Sequence, residues 1–70
     1  MPRAPRLTGR ELLAKLGHHG FVVVRVRGSH HVLKHSDGRI TVVPVHGKET
    51  IGAGLLRKIL SDCELQLPDL

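Results

Sequence analysis

Eleven Lys and Arg against six Asp and Glu in 70 residues leave a net charge of +5 with all six histidines neutral. A chain this short makes one small domain that hides roughly 60% of its unfolded surface, and its basic balance suits a polyanionic partner. An apolar fraction of 40% argues against disorder, the single Cys excludes an internal disulfide, and one Phe without Tyr or Trp removes the usual stacking platforms for single-stranded bases.

Residues 1–7 hold two Pro and two Arg and read as a loose arm. The opening MPRAPRLTGR has no apolar core of the signal-peptide kind, and no apolar run approaches the ~20 residues that span a bilayer. No membrane association is expected, and the cytoplasm is the expected compartment. Thr8-Gly9-Arg10-Glu11 fits a capping box, in which Thr8 caps a helix and Glu11 reaches back to it. Leu12, Leu13 and Leu16 continue at helical spacing, and Gly17 and Gly20 supply the exit, so a first helix is predicted over residues 8–16 or 8–18.

FVVVRVR, residues 21–27, is rich in β-branched side chains and predicts a strand. Gly28-Ser29 suits a two-residue hairpin, because glycine takes a positive φ at the first central position. A second strand is predicted over residues 30–35, a turn at Ser36-Asp37-Gly38-Arg39, and a third strand over residues 40–45. Pro44 lacks a ladder donor, which puts that strand at an edge or ends it there. Residues 46–54 form a polar, glycine-containing connection. Leu55, Leu56, Ile59, Leu60 and Cys63 then share one face of a second helix, opposite Arg57, Lys58, Ser61 and Asp62. Pro68 ends helical structure in a short tail, residues 66–70. The order α-β-β-β-α gives an α+β fold: a three-stranded antiparallel sheet with both helices on one face. Residues 1–70 make a single domain.

The reactive groups concentrate in RGSHHVLKH, residues 27–35, which holds three histidines. Alternation along a strand, with Gly28 and Ser29 in the turn, places Arg25, Arg27, His30 and Lys34 on one face. Val22, Val24, Val26 and Leu33 fall on the other, the expected core face, with His31 at its rim and His35 beside it. A one-residue change of register would exchange the faces of the second strand. Adjacent histidines on a strand point apart, and no familiar zinc spacing is present, so no metal site is expected. Proton transfer fits better. RNA carries its own nucleophile, the 2′-hydroxyl, and an imidazole beside Arg or Lys can deprotonate it while the cation neutralises the phosphate. The bland alternative is that His30 is a surface strand residue.

The segments Gly20-Phe21, Gly28-Ser29-His30-His31, His35-Ser36-Asp37-Gly38-Arg39, Thr41-Val42-Val43-Pro44-Val45-His46 and Gly54-Leu55-Leu56-Arg57-Lys58-Ile59-Leu60 occur here in one order. Together they resemble the HicA toxin family, over residues 12–65. The resemblance implies a fold like the double-stranded-RNA-binding domain and a toxin that cleaves mRNA with a histidine, without a metal or other cofactor. It also implies inhibition by an antitoxin of the HicB kind. The family's catalytic position falls on His30, and some relatives keep only the histidine that aligns with His31. Gly28 would give the tight turn and let RNA backbone approach, and Ser29 would donate to a phosphate or serve only the turn. Arg25, Arg27 and Lys34 are the candidate phosphate ligands, with His46 and Lys48 extending the groove. His18 and His19 lie outside the shared motif and are expected in solvent at the helix exit. Cys63 is expected to be a buried small hydrophobe.

A non-catalytic module that binds double-stranded RNA would use the same sheet and cations, since shape and phosphate contacts need no aromatics. A domain that only docks a protein would leave the charge unexplained.

Overall fold

The computed structural model describes residues 6–70. Its elements are α1 (Gly9–His18), β1 (Val22–Arg27), β2 (His30–Lys34), β3 (Ile40–Pro44) and α2 (Ala53–Cys63), followed by a short 3-10 turn at Leu67–Asp69. The strands form one antiparallel sheet in the order β1-β2-β3. The α+β expectation holds. Of the arm expected over residues 1–7, residues 1–5 lie outside the described span. Leu7 is not loose: it is buried, and its carbonyl accepts from the Ile51 N–H at 2.7 Å.

Helix α1 starts where the capping box puts it. The Glu11 N–H donates to Thr8 Oγ1 at 3.1 Å, and the Thr8 N–H donates to Glu11 Oε1 at 2.9 Å. Hydrogen bonding from Thr8, its backbone N–H first and then its side chain, holds the Glu11 carboxyl below the usual carboxylate range. At the exit Gly20 takes φ +89°, and the Phe21 N–H returns to the Leu16 carbonyl at 3.1 Å. Leu12 and Leu16 of α1 meet Leu33, Val43 and Phe21 from the sheet side, and Leu56, Ile59, Leu60 and Cys63 of α2 complete the core. Thr41 is buried on the same face and donates to Asp62 Oδ2 at 2.9 Å.

Two expectations about the core need correction. Val22 and Val24 do not share the inner face with Leu33. The register shifts between Val23 and Arg25, so Val23 faces Leu33 while Val22 pairs with Lys34 on the open face. Val24 is the extra residue of a β-bulge, which sequence alternation cannot reveal. The whole of β1 is exposed, Val22 by 63% and Val26 by 56%, because α1 and α2 pack on the β3 side. Leu55 also leaves the expected apolar stripe. At 3.6 residues per turn it stands about a quarter turn off the line of Leu56, Ile59, Leu60 and Cys63, and it is 39% accessible.

The close fit of α1 on β3 fixes the end of the sheet where Pro44 pairs with His30 beside the β1–β2 turn. A Cβ on Gly9 would overlap the Pro44 carbonyl oxygen, so the first turn of α1 lies directly on the last residues of β3. An isolated bridge pairs Thr8 with Thr50, fastening the far end of the β3–α2 connection to the same helix start.

Candidate active site at the β1–β2 hairpin

The hairpin closes in two residues, as the Gly28-Ser29 turn requires. Arg27 pairs with His30 across it, and Gly28 takes φ +58°. No atom lies within 4 Å of where a Gly28 Cβ would project, so its bare backbone faces open space.

From Arg27 the pairing continues inward as Val26 with His31 and Arg25 with Val32. His30 is exposed on the open face, beside Arg27 on one neighbour strand and Pro44 on the other. Arg25, Arg27, His30 and Lys34 therefore share the open face, as alternation predicts. Lys34 stands four residues along β2 from His30, roughly 13 Å at the usual strand rise. It lines an open depression with Gly20, Val22, Val24, His35 and Ser36 at the other end of the sheet. The structure does not bring Lys34 to the hairpin.

His31 is half-buried at the rim of the inner face, against Val43 in the neighbouring strand. Its Nδ1 lies 3.3 Å from the Ser29 carbonyl oxygen. A carbonyl can only accept, so Nδ1 carries the hydrogen, and the neutral ring keeps its lone pair on Nε2. That is the tautomer a general base needs when its working nitrogen is Nε2.

Ser29 is the junction of this end of the fold. Its carbonyl also accepts from the Val45 N–H at 2.7 Å, tying the hairpin to the chain leaving β3. Its hydroxyl lies 3.2 Å from His46 Nε2. His46 is held by a turn in which Gly47 takes φ +54° and the Glu49 N–H donates to the His46 carbonyl at 2.9 Å. Lys48 is exposed in that turn. Gly28, Ser29, His30, His31, Arg27 and His46 thus meet at one end. The Ser29–His46 contact joins residues 17 apart, beyond the reach of local spacing rules. The signal that could have found it is the pairing of His30 with Pro44, which carries residues 45 and 46 past the turn.

Two of the other histidines, His19 and His35, serve the frame. His19, expected in solvent, is half-buried, and its Nε2 lies 2.8 Å from the Asp69 carbonyl, which holds the C-terminal 3-10 turn on the end of α1. His18 is exposed. His35 meets the Phe21 ring edge-on, with centroids 5.2 Å apart. Among the described residues no three His, Cys, Asp or Glu side chains gather closely enough to hold a metal ion. None of the described helices is long and apolar enough to cross a membrane.

A family model described as the HicA toxin of bacterial toxin-antitoxin systems matches residues 9–65. A comparison with curated proteins found none that matches.

Proposed function

Since the chain belongs to the HicA toxin family of bacterial toxin–antitoxin systems, we propose that it exerts its toxin role as a metal-independent endoribonuclease acting on mRNA. The family implies an antitoxin partner; a HicB-like protein covering the hairpin is the form we propose, in the cytoplasm. The observation that carries the reading is the convergence on Ser29. One imidazole with its tautomer set by the Ser29 carbonyl, a second imidazole on the Ser29 hydroxyl, and the His30–Arg27 pair all surround an uncovered glycine turn.

The reaction asks little more. An imidazole takes the proton of a 2′-hydroxyl, and the freed oxygen attacks the adjacent phosphorus. The bond to the 5′-oxygen breaks, leaving a 2′,3′-cyclic phosphate and a 5′-hydroxyl end. Cations stabilise the charge that develops on the phosphate oxygens. We place the general base at His31 because the Ser29 carbonyl, facing Nδ1, leaves the lone pair of the neutral ring on Nε2. His30 is the alternative base, exposed beside Arg27, and otherwise a phosphate ligand. Arg25, Arg27 and Lys48 hold the backbone around the turn, Gly28 admits it, and Lys34 contacts RNA further along the open face.

The rival reading is a module that binds double-stranded RNA without cutting it, and the open face with Arg25, Arg27 and Lys34 favours it to that extent. Induced expression without antitoxin separates the two. The nuclease arrests growth with broken mRNA, His31→Ala abolishes both effects, and His30→Ala weakens or abolishes them. Intact mRNA in cells making folded wild-type protein would favour the binding module.

A further inference from the structure

We propose that His46 is the proton donor to the departing 5′-oxygen, so that the hairpin and the β3–α2 turn together form a two-histidine site. The inference rests on the nuclease reading and adds to it the group that completes the proton balance.

A single base leaves the reaction unbalanced. As the phosphorus–oxygen bond breaks, the 5′-oxygen becomes an alkoxide, a poor leaving group unless a proton reaches it. A second imidazole in its protonated form can supply that proton as the bond lengthens. The proton lost from the 2′-oxygen is then on His31 and the one gained by the 5′-oxygen comes from His46. Returning the two imidazoles to their starting forms needs only water.

Among the described residues, His46 is the imidazole from another element that reaches this turn. Its Nε2 is 3.2 Å from Ser29 Oγ, while His31 Nδ1 is 3.3 Å from the carbonyl oxygen of the same residue. Both imidazoles are thus anchored on one serine of one turn, the common anchorage that a base and an acid flanking one phosphodiester call for. His46 is exposed, so Nε2 can exchange the serine hydroxyl for a substrate oxygen without uncovering a buried group. Its position is fixed from both sides. The Val45 N–H on the Ser29 carbonyl holds the preceding residue, and the Glu49 N–H on the His46 carbonyl closes the following turn. Ser29 is a positioning residue here: its hydroxyl aims His46 before substrate arrives.

The test uses a leaving group that needs no acid. The cleavage position is first mapped with unmodified RNA. The same RNA is then made with sulfur replacing the bridging 5′-oxygen at that position, since a thiolate departs without a proton. His46→Gln should cut the unmodified RNA about 100-fold or more slowly than wild type, in line with general acid contributions of about 10²–10⁴. It should cut the sulfur RNA at nearly the wild-type rate. His31→Ala should be slow on both. Circular dichroism identical to wild type shows that each variant is folded. An undiminished rate of His46→Gln on unmodified RNA, or equal slowing on both RNAs, would overturn the assignment while leaving the nuclease reading intact. Wild-type protein that cuts neither RNA would overturn the nuclease reading itself.

Discussion

The guanidinium carbon of Arg39 lies 5.1 Å from the centroid of the Phe21 ring, over the single phenyl ring of the chain. The same Arg39 donates through Nε to Asp37 Oδ2 at 2.9 Å and through Nη1 to the Cys63 carbonyl. One side chain therefore joins the β2–β3 turn, the start of β1 and the last turn of α2, at the end of the sheet away from Ser29. Arg39→Ala should lower the urea midpoint, because it removes a cation–π contact and charged hydrogen bonds to Asp37 and the Cys63 carbonyl at once. Arg39→Lys should recover less than half, because an ammonium cannot serve the carbonyl, the carboxylate and the ring together. Urea unfolding of the three proteins measures this.

Asp37 should contribute to the acid limb of stability. The hydrogen bond from the Arg39 side chain, first, and that from its backbone N–H hold the Asp37 carboxyl below its usual value of 3.8. A carboxyl depressed on folding stabilises the fold above its unfolded value, and that contribution fades as pH falls through the lower folded value. Asp37→Asn should therefore flatten the loss of stability below about pH 4 and change its slope little near neutrality. A parallel acid limb in the variant, measured by thermal unfolding from pH 2 to pH 7, would refute the assignment.

Cys63 should be inert while the protein is folded. Its side chain is fully buried, and burial pushes the thiol up to about 11. The thiolate is the reactive form, so iodoacetamide at pH 8 should label Cys63 only at the rate of unfolding, and fully in urea. Rapid labelling of the native protein would show that the end of α2 opens far more easily than its packing implies.

Gly28 and Gly38 offer a controlled pair. Both take positive φ, +58° and +99°, and neither has an atom within 4 Å of a projected Cβ. Alanine at either site should cost a similar ~1–2 kcal/mol of backbone strain. Only Gly28→Ala should also slow RNA cleavage by folded protein, because only that turn lies in the proposed site. Equal activity of the two variants would remove Gly28 from the RNA path.

The local parts of the fold are legible in the amino-acid sequence. Thr8 and Glu11 define a helix start within four residues, and Gly28-Ser29 sets the pairing of Arg27 with His30 within two, because turn and cap chemistry act over that range. The bulge at Val24 is not legible: nothing in VVVRVR marks which valine is the extra one once helices leave β1 uncovered. Leu55 departs from its expected place because it sits at the edge of the stripe, about a quarter turn from its centre, and spacing alone does not show how wide a stripe the sheet covers. Ser29 and His46 meet through the β2–β3 pairing, a tertiary relationship that follows only once Pro44 stands opposite His30.

The most direct measurement is cleavage of end-labelled mRNA by purified protein in excess EDTA, beside His31→Ala and His30→Ala, with the product ends identified. Wild type should produce 2′,3′-cyclic phosphate and 5′-hydroxyl ends, and His31→Ala should produce none while still binding RNA. Cleavage that stops in EDTA, 5′-phosphate ends, or full activity in both variants would contradict a metal-independent nuclease built on this hairpin.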